Sequence, residues 1–177
     1  MLALSGCSTT TSSASPSTPA EERASINAGV DKALVDLYAQ VNGSRELVGK
    51  SKGVLVFPSV VSAGFGIGGS YGKGALRVNG VPTGYYSTAA ASVGLIAGAE
   101  AKSMYILFMT QEALDKFQAS NGWTAGVDAS VTALSVGADA GVTTQTAQQP
   151  VLGYVLTKGG LMANLSLDGT KISRLDL

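Results

Sequence analysis

Residues 64–74 read GFGIGGSYGKG. Phe65, Ile67 and Tyr71 fall at alternate positions with Gly64, Gly66 and Gly68 between them, the period of a β-strand. One face of such a strand carries bulk and the other almost no side chains, so a second backbone or a ligand can approach it closely. The same letters contain G-x-G-x-x-G at Gly64, Gly66 and Gly69, the pattern of a dinucleotide-binding turn. That chemistry needs a helix after the glycines to aim its N-terminus at a pyrophosphate, and an acid about 20 residues on for the ribose. Here the alternation runs on to Asn79-Gly80, a strong hairpin signal, and no Asp or Glu stands between Glu46 and Glu100. A Walker loop fails too, because Gly74 rather than Ser or Thr follows Lys73. The segment therefore reads as a strand that enters a hairpin.

Its flanks extend the β reading. Gly53–Phe57 (GVLVF) is a short apolar run stopped by Pro58 and reads as a buried strand. Tyr85–Ala101 is strand-like and rich in Ala, Ser and Gly, and Met104–Met109 (MYILFM) reads as a central strand. Thr110 is placed to cap a helix through Phe117, with Leu114 and Phe117 inward and Glu112, Asp115 and Lys116 outward; Asn121-Gly122 ends it. From Thr124 to Ala133 the odd positions are Ala or Val and the even ones largely polar, as in a half-solvated strand. Gln145–Pro150 reads as a polar loop, and Val151–Leu156, Leu161–Leu167 and Ile172–Leu175 as strands joined by turns at Lys158-Gly159-Gly160 and Asp168-Gly169.

Upstream, Ile26, Val30, Ala33, Leu34, Leu37 and Val41 recur at helical spacing, and the pattern ends near Asn42-Gly43. The polar face mixes Arg23 and Lys32 with Asp31 and Asp36, which suits a helix packed on a sheet better than one lying on a membrane. Ser44 stands where it would cap a short second helix through Val48.

Composition excludes whole classes. Apolar residues are 45% and charged residues 14% of the chain, which is globular rather than disordered. The formal net charge is zero, against the basic excess of a nucleic-acid binder. There is no histidine, so Ser-His-Asp and Cys-His catalysis and His-ligated metals are excluded. One cysteine allows neither an internal disulfide nor a thiolate cluster. No catalytic residues, metal or cofactor are expected. A carboxylate pair such as Asp128 with Asp139 is the one acid–base arrangement worth naming, and it reads more simply as two surface residues.

The lone cysteine has its own context. Leu4-Ser5-Gly6-Cys7 resembles the lipobox of bacterial lipoproteins, in which the cysteine is acylated and becomes the new N-terminus. Ser8–Pro19 (STTTSSASPSTP) follows as a tether that cannot build a core. Only six residues precede Cys7, so the expectation is that the chain begins inside a signal segment or at a misassigned start. The competing reading is an unmodified small cysteine. Ser8, standing where an Asp would signal inner-membrane retention, points to the outer membrane, facing the periplasm.

Between Arg45 and Ala99 five basic residues, Arg45, Lys50, Lys52, Lys73 and Arg77, face a single acid, Glu46. Brought together they would make a basic patch beside the glycine-rich strand, able to hold an anionic head group. Left apart they are solvated charges. If the patch forms, Lys50, Lys52, Lys73 and Arg77 would meet head groups, with Phe65 or Tyr71 against acyl chains.

Lys52–Pro58 (KGVLVFP) and Gly64–Gly69 (GFGIGG) together resemble the opening of the SYLF domain, which occurs in eukaryotic lipid-binding proteins and in bacterial lipoproteins. Ala97–Glu100, Met104–Met109, Glu112–Phe117, Gly126–Val131 and Lys158–Ala163 are similar to later blocks of that family, in order. The resemblance implies a non-enzymatic phospholipid-binding domain. Its phosphoinositide and actin partners, known among eukaryotic members, transfer poorly, because this N-terminal helix lacks the basic face and a bacterial envelope lacks actin.

Three segments are therefore expected: 1–7 a truncated lipobox signal, 8–22 a tether and 23–177 the SYLF domain. That domain should be α+β and predominantly antiparallel, a barrel-like or sandwich-like sheet with one N-terminal and one central helix. The expected function is a lipoprotein bound to anionic phospholipid. The alternative is a structural or protein-interaction module of the envelope.

Overall fold

A computed structural model describes residues 17–134, 148–158, 160–161 and 167–177. Its centre is one long hairpin. β1 spans Gly53–Val78 and β2 Val81–Phe108, paired antiparallel along their length. Asn79 and Gly80 join them with φ of 53° and 78°, as a two-residue turn with both central residues left-handed requires.

Pro58 does not stop the first strand, contrary to expectation. It sits in a register shift between Phe57 and Val60, where its missing N–H leaves no ladder bond broken, and its carbonyl accepts from Ser103 Oγ at 2.8 Å. Tyr85–Ala101 and Met104–Phe108 likewise lie on one strand rather than two.

The ribbon turns over near Gly66. Phe65 pairs with Ala97 and Ile67 with Val93, so three residues of β2 stand opposite Gly66. Beyond that bend β1 packs against its own first half. A Cβ on Gly74 would collide with the Val56 carbonyl and the Phe57 ring, and one on Gly72 would lie 2.8 Å from the Ser59 carbonyl oxygen. One on Gly68 would lie 2.5 Å from the Ala63 carbonyl oxygen. The nearly bare face is thus covered by backbone of the same strand.

The rest of the sheet builds on β2. Its start, Tyr85–Ala89, pairs with β7 (Lys171–Leu175), which pairs in turn with β3 (Gly122–Thr124). Its end, Ser103–Phe108, pairs with β5 (Val151–Thr157), flanked by the parallel β4 (Thr132–Ala133) and antiparallel β6 (Gly160–Leu161). Among the described residues this makes one mostly antiparallel sheet of seven strands, curled as expected, in an α+β fold.

Both faces of the central strands are covered, which explains why GVLVF and MYILFM are continuous apolar runs. Leu55, Phe57, Met104, Ile106 and Phe108 point inward, against α3 (Gln111–Ala119) and Trp123. There Tyr86, Phe108, Phe117 and Trp123 form an aromatic cluster with ring centroids 4.7–6.2 Å apart. Val54, Val56, Tyr105 and Leu107 point outward, beneath Ile26, Val30, Ala33 and Leu37 of α1 (Pro19–Gln40). Burying each larger aliphatic side chain there stabilises by about 1.5–3 kcal/mol.

Local chemistry sets the helix ends. α1 begins at Pro19, within the stretch read as tether, because Thr18 and Glu21 close a capping box. α2 (Ser44–Lys50) is capped by Gly43 at φ 81° and not by Ser44. Ser44 is buried, and its Oγ donates to the carbonyls of Leu37 and Val41, at 3.1 and 2.6 Å, at the end of α1. α3 carries the expected cap, Thr110 Oγ1 accepting from Ala113 N.

Thr124–Ala133 is not one strand. Gly126 adopts φ 84° and the Asp128 carboxylate accepts from Thr124 N at 2.6 Å, closing a turn between β3 and β4. Residues 135–147, most of Leu161–Leu167, Asp139 and Cys7 lie outside the described residues.

Candidate binding site: a hairpin apex and a cleft

The bend of the ribbon forms an apex whose outer face is apolar. Val61, Phe65, Ile67 and Tyr71 project outward from β1, with Phe65 84% and Ile67 77% exposed. Their alternation with glycines produces this: what faces inward must be small, so the bulk faces out. No charged residue occurs in 53–72 or 78–99, so the bend itself carries no formal charge; the first charges along the ribbon are Glu100 and Lys102 of β2, opposite Ser62 and Val60, and Lys73 of β1. Ala89, Ala91 and Ala101 of β2 are exposed as well.

The other end of the hairpin differs. There α1, α2, Gly53 and the Asn79-Gly80 turn enclose a cleft of about 360 Å³. Arg45 lies over the Tyr38 ring, its guanidinium carbon 4.5 Å from the centroid. Arg77 lines the same cleft, with apolar wall from Leu34, Val48 and Val54. Burial pushes the Tyr38 hydroxyl above its ordinary pKa, although Arg45 and Arg77 pull the other way; it is a neutral donor at physiological pH.

The structure brings together only part of the expected site. Lys73 pairs with Glu22, and Arg77 with Asp31 and the Asn27 carbonyl, so both fasten α1 to β1; Lys73 stays exposed while the Arg77 side chain is mostly buried. The Glu22 carboxylate raises the Lys73 pKa. Buried Nε of Arg77 and Oδ1 of Asn27 have no partner among the described residues. Lys50 is exposed and paired with Glu46 at 3.1 Å. Lys52 is exposed beside it. Phe65 and Tyr71 share the apex, but Phe65 and Lys52 are separated by about 40 Å of strand. Arg45 and Tyr38 are the cleft residues that sequence reasoning missed. Arg45 lay within the basic window, but nothing in the spacing shows that it meets Tyr38 across the α1–α2 turn.

Asp128 is consumed as the turn's acceptor, and Asp139 lies outside the described residues. Among the described residues no group of acidic, Cys or His side chains has the arrangement of a metal site. No helix among them is long and apolar enough to cross a membrane.

A family model described as Ysc84, Las17-binding protein actin regulator, matches residues 89–176. The match covers the second half of the hairpin, α3 and the remaining strands. Tyr38, Arg45, Arg77, Phe65 and Ile67 lie outside it. No curated protein gives a significant match to the chain.

Proposed function

This chain belongs to the SYLF (Ysc84) family, and from that membership we propose that it is a non-enzymatic binding domain that docks on a phospholipid membrane through the apex of its long hairpin. The observation that carries this is the exposure of Phe65 and Ile67 at a bend that itself carries no charged residue. Large exposed apolar side chains grouped together mark interaction surfaces, and a bend without formal charge adds no ionic desolvation cost on entering the acyl boundary. Cys7, acylated, would hold the domain at the bacterial envelope, at the outer membrane facing the periplasm, and the apex would make the second contact. Lys50 and Lys52, at the far end of the hairpin, are left to contribute only a general attraction to anionic surfaces.

The test is vesicle co-sedimentation of the full chain carrying Cys7→Ser, with neutral, phosphatidylglycerol, cardiolipin and phosphoinositide vesicles at low and high salt. Binding that persists at high salt and is lost in Phe65→Asp/Ile67→Asp, with unfolding temperature unchanged, supports the apex. Binding lost at high salt and kept by the double variant would move the contact to Lys50 and Lys52. The matched family's description names protein partners, Las17 and actin, and so favours a second reading in which the same apex docks on a protein of the envelope. A single dominant crosslinked partner in cells, with no vesicle binding, would select that reading.

A further inference from the structure

The cleft at the turn end of the hairpin shares no residue with the apex, and its chemistry is different. It has three walls. Arg45, on the first turn of α2, lays its guanidinium on Tyr38, and among the described residues it forms no ion pair; the neighbouring acid, Glu46, is held by Lys50. Arg77 is fixed by Asp31 and by the Asn27 carbonyl, so its charge is largely balanced where it stands. Leu34, Val48 and Val54 close the apolar side.

We propose that this cleft binds a singly charged oxyanion carried on an apolar chain, a carboxylate or a phosphodiester, with Arg45 and the Tyr38 hydroxyl on the anion and Leu34, Val48 and Val54 against the chain. Charge selects the ligand class. Arg77 and Asp31 nearly cancel, Arg45 leaves one net positive charge, and a monoanion neutralises it. A phosphate monoester would carry an unmatched second charge into a half-buried site, which is costly. A guanidinium already stacked on an aromatic ring is oriented before the ligand arrives, so less freedom is lost on binding. The volume, about 360 Å³, is at the small end of ligand sites and admits a head group with a short length of chain.

The test uses the full chain with Cys7→Ser and ligands below their micelle concentration: decanoate, dihexanoyl phosphatidylglycerol, decanol and inorganic phosphate. Calorimetry gives the affinity, and amide shifts of Gly49, Gly53 and Gly80 give the place. Decanoate, dihexanoyl phosphatidylglycerol or both should bind one to one, and which of them binds names the source of the anion. Decanol and phosphate should not. Arg45→Gln should weaken binding about tenfold or more, the loss of a charged hydrogen bond. Gly49→Trp is the second variant: Gly49 lines the cleft and a Cβ there meets nothing within 4 Å, so a ring placed on it should obstruct the cleft, with an unchanged unfolding temperature as the check on the fold. Phe65→Asp/Ile67→Asp should bind these monomers like the parent, which separates failure of the cleft from failure of the apex. No binding of either anion, equal binding of decanol, or binding indifferent to both Arg45→Gln and Gly49→Trp overturns the proposal.

Discussion

Glycine does two different jobs in β1, and the two can be told apart. At Gly74 the space where a Cβ would go is filled by the Val56 carbonyl and the Phe57 ring, neither of which can retreat without opening the doubled ribbon. At Gly69 the nearest atom is the Ala90 carbonyl oxygen at 3.4 Å, an ordinary contact. Gly74→Ala should therefore cost about 1–3 kcal/mol, the usual penalty for overpacking. Gly69→Ala should stay within about 0.5 kcal/mol of the parent, as exposed substitutions do. Urea unfolding of the two single variants checks this. Equal effects would mean that the ribbon does not fold back on itself. Alternation in residues 64–74 made the bare face legible in the sequence, but not what covers it. The covering backbone is that of residues 56–63, and only the bend brings it there.

The helix α1 is attached to the sheet through the buried phenol of Tyr105 as well as its aliphatic stripe. Tyr105 Oη donates to the Ala33 carbonyl at 2.7 Å, and Tyr154 lies in the same layer. Burial pushes both hydroxyls from an ordinary 10.0 up to about 12. A phenol that holds its proton more tightly when folded stabilises the fold fully below its unfolded pKa. That stabilisation is lost as pH rises through the folded value. The denaturant midpoint should thus be insensitive to these groups up to about pH 10 and fall between roughly pH 10 and 12. Tyr105→Phe should lower stability near neutrality by about 0.5–1.5 kcal/mol, one hydrogen bond, and make the alkaline fall shallower. If Tyr105→Phe/Tyr154→Phe falls as steeply as the parent, the phenols are not its cause. Elements with strong local signals were legible: Asn79-Gly80 at the turn, the Thr110 cap, the 26–41 helical stripe. Elements set by distant partners were not. Pro58 looked like a strand end because a bulge that excuses its missing N–H is specified by residues on β2. Residues 124–133 looked like one strand because alternation does not show that Gly126 will turn left-handed. Lys73 and Arg77 looked like free cations because their partners, Glu22 and Asp31, are more than forty residues away in sequence.

At the scale of the whole molecule, the proposed anchor and the proposed apex contact would reinforce each other. From Cys7 to Thr18 the sequence is Ser/Thr/Pro-rich, and a linker of that composition and length has an average reach of about 20 Å. Were Cys7 acylated as proposed, a tether of that reach would hold the domain near the bilayer at an effective concentration of order millimolar, and even a weak apex contact would be populated. The apex would then need only its exposed apolar side chains. A single substitution reports it. Trp123, the chain's one native tryptophan, is 3% exposed in the inner core and is insensitive to the surface. Phe65→Trp places a second indole at the bend, where it is solvated in the free protein. On vesicles its emission should shift to the blue and be quenched by lipids brominated along the acyl chain, whereas Trp123 stays unchanged. The shift should be larger for the acylated chain than for Cys7→Ser at equal lipid, in proportion to the gain in local concentration. An indole at position 65 that remains solvated while the acylated protein sits on the membrane would mean that the anchor alone makes contact. The apex would then be free to meet a protein.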